Sequence, residues 1–250
     1  MSGFTWDDRI QRADKLKSQY PAAESILAFY WMIARYQARV YEHLLASPAL
    51  EINQLMTDLP VFFQLAQEYG TQTLRDFLEN SANVNWLAML TNYWNSPDTA
   101  DSGPADFFLR ALLQPYGEVI AARAKLRAEG SGKHCPVCSS KPQLGVLRPE
   151  GEGAKLSLMC LLCGTEWPHV RVACVNCGEL DKNKLPVYQA QEFPSARLNM
   201  CDTCQTYLKC IDLSKDGHAV PAVDDLATVS LSIWAQGQGY RPIRTNLFGF

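Results

Sequence analysis

The sequence predicts an α+β multidomain protein with an N-terminal all-α helical domain, two tandem β modules built around cysteines, and a C-terminal helix. Two observations carry this prediction. Apolar side chains recur at steps of three and four through the first half of the chain, which is the spacing of helices that bury one face. Eight of the nine cysteines then fall into four Cys-x-x-Cys pairs. The expected domains are residues 1–130, 131–170, 171–213 and 214–250.

The helical half contains several start and stop signals. Thr5 is placed to cap a first helix that ends near Ser18, and Pro21 suits the start of a long second helix. Pro115 lacks an amide hydrogen and is expected to kink or interrupt the last helix. A segment with Gly and Ser at 128–133 then marks the domain boundary. Further helices are expected over 59–70, after Thr71, over 86–94 and from Phe107 onward.

No catalytic pattern stands out in this half of the sequence. It holds no paired histidines, no Gly-rich phosphate loop and no nucleophile motif. Its lone His43 is expected to be an ordinary surface or core residue. We therefore expect a protein that is not an enzyme.

The four Cys-x-x-Cys pairs are the predicted metal ligands. Each such turn places two thiolates within reach of one metal, and two turns complete a tetrahedral Cys₄ shell, the usual form of a structural zinc site. The four pairs thus predict two metal ions, iron or zinc, because both metals fit a shell of four thiolates. The predicted ligands are Cys135, Cys138, Cys160, Cys163, Cys174, Cys177, Cys201 and Cys204.

Short β-like runs between the pairs indicate which turns share a metal. Two runs flank the turn at 149–153, and such a hairpin folds the first cysteine pair onto the second. Runs at 185–190 and 196–200 repeat the arrangement for the third and fourth pairs. This predicts two tandem rubredoxin-like or zinc-ribbon modules. An interleaved cross-brace, in which alternate pairs share a metal, stays open as the other arrangement.

Other uses of the cysteines fit the chain less well. Four disulfides would need an oxidising compartment, and the first eight residues show neither the basic start nor the apolar run of a secretory signal. Redox Cys-x-x-Cys motifs usually occur singly beside a βαβ unit. Cys210 stands outside the pairs and is expected to be a buried strand residue rather than a functional thiol.

Composition and charge narrow the class of function. The chain has 250 residues, of which 47% are hydrophobic, and no apolar run reaches the length of a membrane helix. We therefore expect a cytoplasmic protein with no membrane span. The net charge is −3, and residues 131–213 hold nine Lys and Arg against eight Asp and Glu. Phosphate contacts require clustered basic residues, so nucleic acid is not an expected partner.

The end of the chain predicts one more helix, from Val223 to Gln236, with acidic residues in the first turn where they complement the helix dipole. Gly237 is expected to end it. The tail from Gly239 to Phe250 has little apolar surface of its own to bury. It is expected to lie on a domain or to await a partner.

With these motifs laid out, residues 131–250 resemble the formate dehydrogenase accessory proteins, the FdhE family. In the helical half, segments 59–63 and 111–118 are similar more loosely. Ser139 departs from the family pattern, which usually has Gly after the first Cys-x-x-Cys turn. The resemblance rests on Cys135-Pro-Val-Cys138, the segment 160–171 leading to Cys174-Val-Asn-Cys177, the segment 201–209, Val223-Asp-Asp-Leu-Ala227 and Gly239-Tyr240.

The resemblance implies a cytoplasmic, non-catalytic maturation factor. Such a factor binds the catalytic subunit of a molybdenum- or tungsten-dependent formate dehydrogenase, is required for its activity, and carries rubredoxin-like Cys₄ sites that take iron. Two alternatives from other classes are a rubredoxin-type iron redox protein and a nucleic-acid-binding ribbon protein.

Four residues between the two predicted metal sites are candidates for contact with a partner. Packing between the ribbons is the alternative role, with Trp167 covering the sulfurs and Arg171 pairing with an acid. His169 is not expected to replace a ligand, because eight thiolates already fill two shells. The candidates are Glu166, Trp167, His169 and Arg171.

Overall fold

The computed structural model describes residues 3–97, 103–124 and 132–250. Most of the predicted linker at 128–133, and the middle of the predicted loop before Pro104, lie outside the described residues. Eight helices are described: α1 Trp6–Gln19, α2 Glu24–Ala46, α3 Leu59–Tyr69, α4 Gln72–Glu79, α5 Trp86–Asn95, α6 Pro104–Ala124, α7 Pro221–Ala227 and α8 Val229–Gly237. Seven strands are described: β1 Leu144–Glu150, β2 Gly153–Met159, β3 Glu166–Pro168, β4 Val187–Tyr188, β5 Ala196–Cys201, β6 Thr206–Asp212 and β7 Arg241–Pro242.

The predicted starts and stops of the first helices are confirmed. The Thr5 hydroxyl accepts a hydrogen bond from the Asp8 amide, and the Asp8 carboxylate accepts one from the Thr5 amide, which closes a capping box on α1. Pro21 opens a short 3₁₀ turn that leads into α2. Gly70 ends α3, and the Thr71 hydroxyl caps α4.

Among the described residues, no helix combines the length and the apolar character that a membrane span requires.

Helix α6 continues through Pro115, so the interruption, one of the two predicted outcomes, is wrong, and the kink stays a prediction. Proline cannot donate to the carbonyl four residues earlier, which here belongs to Ala111. The side chain of Gln37 in α2 supplies a donor, because its Nε2 lies 2.7 Å from the Ala111 oxygen. Gln37 and Ala111 are both 0% exposed, so water does not compete for this bond. A residue on another helix therefore compensates the defect that the proline creates.

Replacing Gln37 with Leu is expected to lower the free energy of unfolding by about 1–3 kcal/mol, because the Ala111 carbonyl loses this buried donor. In a Pro115→Ala background the loss should be smaller, since the amide restored at position 115 can bond the same carbonyl. Urea unfolding of the four proteins measures the coupling between the two sites. Equal losses in both backgrounds would contradict the role assigned to Gln37.

The strands form one seven-stranded sheet in the order β3-β2-β1-β6-β5-β4, with β7 beside β6. Both predicted hairpins are present, β1 with β2 and β4 with β5. The two ribbons join where β1 runs parallel to β6, with Leu144 opposite Lys209 and Leu147 opposite Asp212. The predicted domain boundaries remain a prediction, and the structure adds that strands of both ribbons share a sheet.

One core connects the helices to this sheet. Phe108 of α6 lies at its centre, with the rings of Phe62 and Phe107 at 5.9 and 5.2 Å between centroids. Leu156 and Leu208 from the sheet belong to the same buried cluster, which also contains all four cysteines of the first and second Cys-x-x-Cys pairs. The helical half of the chain therefore covers one face of the sheet.

The C-terminal segment forms two helices where the sequence predicts one, because the helix is interrupted at Thr228. Two side chains hold the carbonyls around the break. The Thr228 hydroxyl donates to Asp224 O, and Lys209 Nζ donates to the carbonyls of Asp225 and Thr228. Lys209 also pairs with the Asp225 carboxylate at 2.7 Å, and both side chains are buried. Because this lysine comes from β6, the sequence of the α7–α8 segment alone does not reveal it.

The tail lies on the body of the protein, which decides between the two predicted possibilities. Arg110 of α6 donates to the carbonyls of Thr245 and Asn246 at 2.8 and 3.0 Å. Asn246 donates to the Asp225 carboxylate, and Phe248 packs on Phe29 and Phe107. The last residues of the chain thereby close the core between α2, α6 and α7.

Candidate metal centres

The eight predicted ligands come together as two separate groups of four, in the tandem arrangement. Cys135 lies 3.4 Å from Cys163 and Cys138 lies 3.5 Å from Cys160, measured between sulfurs. In the second group, Cys174–Cys204 and Cys177–Cys201 are both 3.7 Å apart. A tetrahedral shell with metal–sulfur bonds of about 2.3 Å has sulfurs about 3.8 Å apart. Both groups therefore fit a metal ion of the zinc or iron type.

Each of the four turns is closed by a residue in the left-handed region immediately after its second cysteine. These residues are Ser139, Gly164, Gly178 and Gln205, with φ of 60°, 68°, 83° and 52°. In the first three turns the amide of that residue donates to the carbonyl of the first cysteine, at 2.8–2.9 Å. The turn needs positive φ at this position, which is why glycine is common there and why serine costs some strain.

Replacing Gly178 with Ala is expected to destabilise the second ribbon by about 1–2 kcal/mol, because an L-residue is strained at this φ. Nothing lies within 4 Å of the added Cβ, so the loss would come from the backbone alone. Ser139→Gly in the first ribbon is the opposite exchange and should not destabilise it by a comparable amount. Urea unfolding of the metal-loaded proteins measures both effects. An unchanged stability for Gly178→Ala would contradict the strain argument.

The first metal site is enclosed by the helical half. A Cβ at Gly117 of α6 would lie 2.6 Å from Leu162 O and 3.2 Å from Cys163 Cβ, so glycine permits the close approach of helix and cysteine turn. The neighbouring Glu118 pairs with Arg9 of α1 at 2.7 Å. Burial raises the pKa of Glu118, and the charge of Arg9 opposes that shift. All four cysteines of this site are buried.

The second metal site lies nearer to solvent. Cys177 is exposed and Cys204 is half-buried, whereas Cys174 and Cys201 are buried. The site is held by neighbouring polar groups: the Cys177 amide lies 3.5 Å from the Cys174 sulfur, and the Thr206 hydroxyl lies 3.1 Å from the Cys204 sulfur. The two sites thus have the same ligands but different access to solvent.

This difference predicts that a chelator removes the two metals in two phases, the second-site metal first. The loaded protein should contain two metals per chain by elemental analysis, and a metal indicator follows the release. The matched control is Cys174→Ser/Cys177→Ser, which should retain one metal and only the slow phase. Release of both metals in one phase at one rate would contradict the assignment of one enclosed and one open site.

Two of the four candidate contact residues have partners within the chain. Glu166 accepts two hydrogen bonds from Arg148, at 3.0 and 2.8 Å. Trp167 is 1% exposed, and its Nε1 donates to Gly132 O. Both partners lie within residues 131–170, so these bonds hold the first ribbon together and do not join the two ribbons. Their contact with a partner stays a prediction.

The other two candidates are less enclosed. His169 is half-buried, and burial lowers the pKa of its imidazole. Arg171 is exposed, and its Nη1 lies 3.5 Å from Ala154 O. Within the described part of the chain Arg171 forms no ion pair, so the acid expected to pair with it is not found.

Two residues outside the predicted set also belong to this surface. Lys182 and Arg197 line a groove together with Arg171. Charge counts over residues 131–213 conceal this cluster, because basic and acidic residues nearly balance in number there. In the sequence, only the alternation in β5 points to this surface, because polar Arg197 and Asn199 follow buried neighbours.

Cys210 is buried in β6 as predicted, and burial raises the pKa of its thiol to about 12.

Comparisons with known proteins give the family. The models of the FdhE central domain and the FdhE C-terminal domain match residues 134–171 and 172–248. The Protein FdhE homolog of Aquifex aeolicus is 30% identical over 269 residues, covering 96% of this chain and 94% of that protein. The chain belongs to the FdhE family. The resemblance found in the sequence is thereby confirmed.

Other FdhE relatives match over part of their length. The Haemophilus influenzae homolog is 34% identical over 70% of this chain and 59% of its own length. The Escherichia coli Protein FdhE is 31% identical over 61% of this chain and 49% of its own length. The crystal structure of the FdhE protein from Pseudomonas aeruginosa matches with a TM-score of 0.70 and 24% identity, covering 97% of this chain and 94% of that one. This structural match supports the predicted fold.

Proposed function

We propose that this member of the FdhE family is a cytoplasmic, non-catalytic accessory factor that binds the catalytic subunit of formate dehydrogenase and is required for its activity. Membership of the family supplies the client enzyme. The observation that carries the proposal from the structure is the closed character of both sulfur groups. In each, four cysteine sulfurs are placed to complete a tetrahedral shell around one metal ion, with cross-pair sulfur distances of 3.4–3.7 Å.

A closed Cys₄ shell offers no coordination position for a substrate, so the role that fits it is structural. Bound metal would cross-link the two turns of each ribbon, which small β modules need in order to stay folded. The cysteines and their left-handed turn residues hold that geometry. The shared sheet then presents the loops of both ribbons as one rigid surface for a protein partner.

A rubredoxin-type redox role is the second candidate, and the exposure of Cys177 is the observation that favours it. An iron site near the surface could exchange electrons with another protein, whereas zinc has no redox chemistry. Iron in the native metal pool is a requirement of this candidate but not of the accessory role. Protein isolated from an iron-replete host with only zinc would remove it.

A stoichiometric complex with the formate dehydrogenase catalytic subunit is expected when the protein is purified from its native host. Cys174→Ser/Cys177→Ser should abolish the complex, because the second ribbon loses its metal. Arg171→Ala should weaken it about tenfold, the loss of one charged hydrogen bond, with both metals retained. Co-purification followed by titration of the purified partners measures these effects.

Cys210→Ala is the control for cysteine loss, because Cys210 belongs to neither sulfur group. It should keep both metals and the complex. If deletion of the gene left formate dehydrogenase activity unchanged and no catalytic subunit co-purified, the accessory role would be wrong. Iron content would then decide whether the redox role replaces it.

A further inference from the structure

A groove crosses the second ribbon between the linker at 171–175 and strands β4, β5 and β6. It has a volume of about 200 Å³. Leu156 and Leu208 of the sheet form part of its wall, and Ile243 after β7 closes another side. Two cysteines of the second metal site, Cys174 and Cys201, also line it. The groove therefore lies directly beside the more open metal site.

The groove is positively charged. Arg171, Lys182 and Arg197 line it, and none of the described side chains that line it is acidic. Arg171 and Lys182 are exposed, and no ion pair involves either of them within the described residues. Three cations in one small groove without a carboxylate favour a ligand that carries negative charge.

The rim of the groove is apolar. Val172 and Val187 line it and are 52% and 58% exposed. Val170 and Leu180 lie nearby in sequence and are 54% and 67% exposed. Exposed aliphatic side chains grouped at a groove are typical of surfaces that bind another protein. The ligand should therefore bring an apolar side chain next to its negative charge.

Two polar atoms of the groove residues are shielded from solvent and lack a hydrogen-bond partner within the described part of the chain. They are Nε of Arg197, a donor, and Oδ1 of Asn199, an acceptor. Arg197 also lies beside the buried Cys210 thiol. Because solvent does not reach these two atoms, they do not select the ligand, and its chemistry follows from the three cations and the apolar rim.

The size of the groove favours part of a peptide as its ligand over an enclosed cofactor. Pockets that enclose drug-sized ligands have volumes of about 300–1,000 Å³, larger than this one. A volume of about 200 Å³ suits one or two side chains of a longer segment that continues outside the groove.

We propose that this groove binds an extended segment of the partner protein in which an apolar side chain lies next to a carboxylate. The apolar side chain packs on Val172 and Val187, and the carboxylate pairs with Arg171 and Lys182. The identity of the partner rests on the proposed function, whereas the chemistry of the segment rests on the groove.

Counter-charge for the metal-bound thiolates is the competing role for the three cations, because Cys174 and Cys201 line the same groove. The two roles differ in what a charge reversal removes. If the cations only offset the thiolates, reversal should release the second metal. If they bind a segment of the partner, reversal should weaken the complex and leave two metals per chain.

The test compares wild-type protein with Arg171→Glu/Lys182→Glu and with Val187→Asp, in titrations against the purified catalytic subunit of formate dehydrogenase. Lys215→Glu is the matched charge reversal, on an exposed lysine outside the groove. We expect each groove variant to bind at least tenfold more weakly at an unchanged metal content, and Lys215→Glu to bind like the wild type. In parallel, short designed peptides with an apolar side chain next to a carboxylate are titrated against the same proteins.

Each outcome decides a different point. If the subunit binds all variants equally, or if the groove variants lose the second metal, the groove inference is wrong and the accessory role stands. If the subunit fails to bind wild-type protein but an acidic, apolar peptide binds and is lost in the groove variants, the groove inference stands and the client is wrong. If neither the subunit nor any peptide binds, both are wrong.

Discussion

The parallel pairing of β1 with β6 is the constraint on which the rest of the structure depends. It runs from Leu144 opposite Lys209 to Leu147 opposite Asp212 and converts two Cys₄ ribbons into one sheet. A lone ribbon has too small a core to fix its own orientation. Once the ribbons share a sheet, the helical half can cover one face of it with a single core. The positions of both metal sites relative to each other follow from this pairing.

Side chains from distant parts of the chain then compensate the weak points of individual elements. Gln37 supplies a donor to the helix that contains Pro115, and Lys209 holds the carbonyls where α7 gives way to α8. Arg12 of α1 pairs with Asp224 of α7, at distances of 2.5 and 3.0 Å. The pair Arg12–Asp224 joins the first helix to the C-terminal segment. Such bonds explain why elements that look interrupted or unsupported in sequence are stable in the fold.

The same bonds mark the limit of prediction from sequence. Helix caps such as Thr5 and the cysteine turns are local, so their residues are adjacent in the chain and the pattern predicts them. The compensation of Pro115 and the β1–β6 pairing join residues 65 or more positions apart, for which no local spacing exists. The cluster of groove cations is not predictable from sequence for a similar reason, since Arg171, Lys182 and Arg197 come from separate segments that only the fold brings together.

The two metal sites differ in their surroundings, and this difference separates their roles. The first is packed against Gly117 of α6, with all four cysteines buried, so bound metal there would tie the sheet to the helices. The second has Cys177 at the surface and the charged groove at its side. A partner cannot reach the first site without opening the core, whereas it can reach the second directly. A surface that is rigid on one side and accessible on the other is what a binding factor requires, and the second ribbon supplies the accessible side.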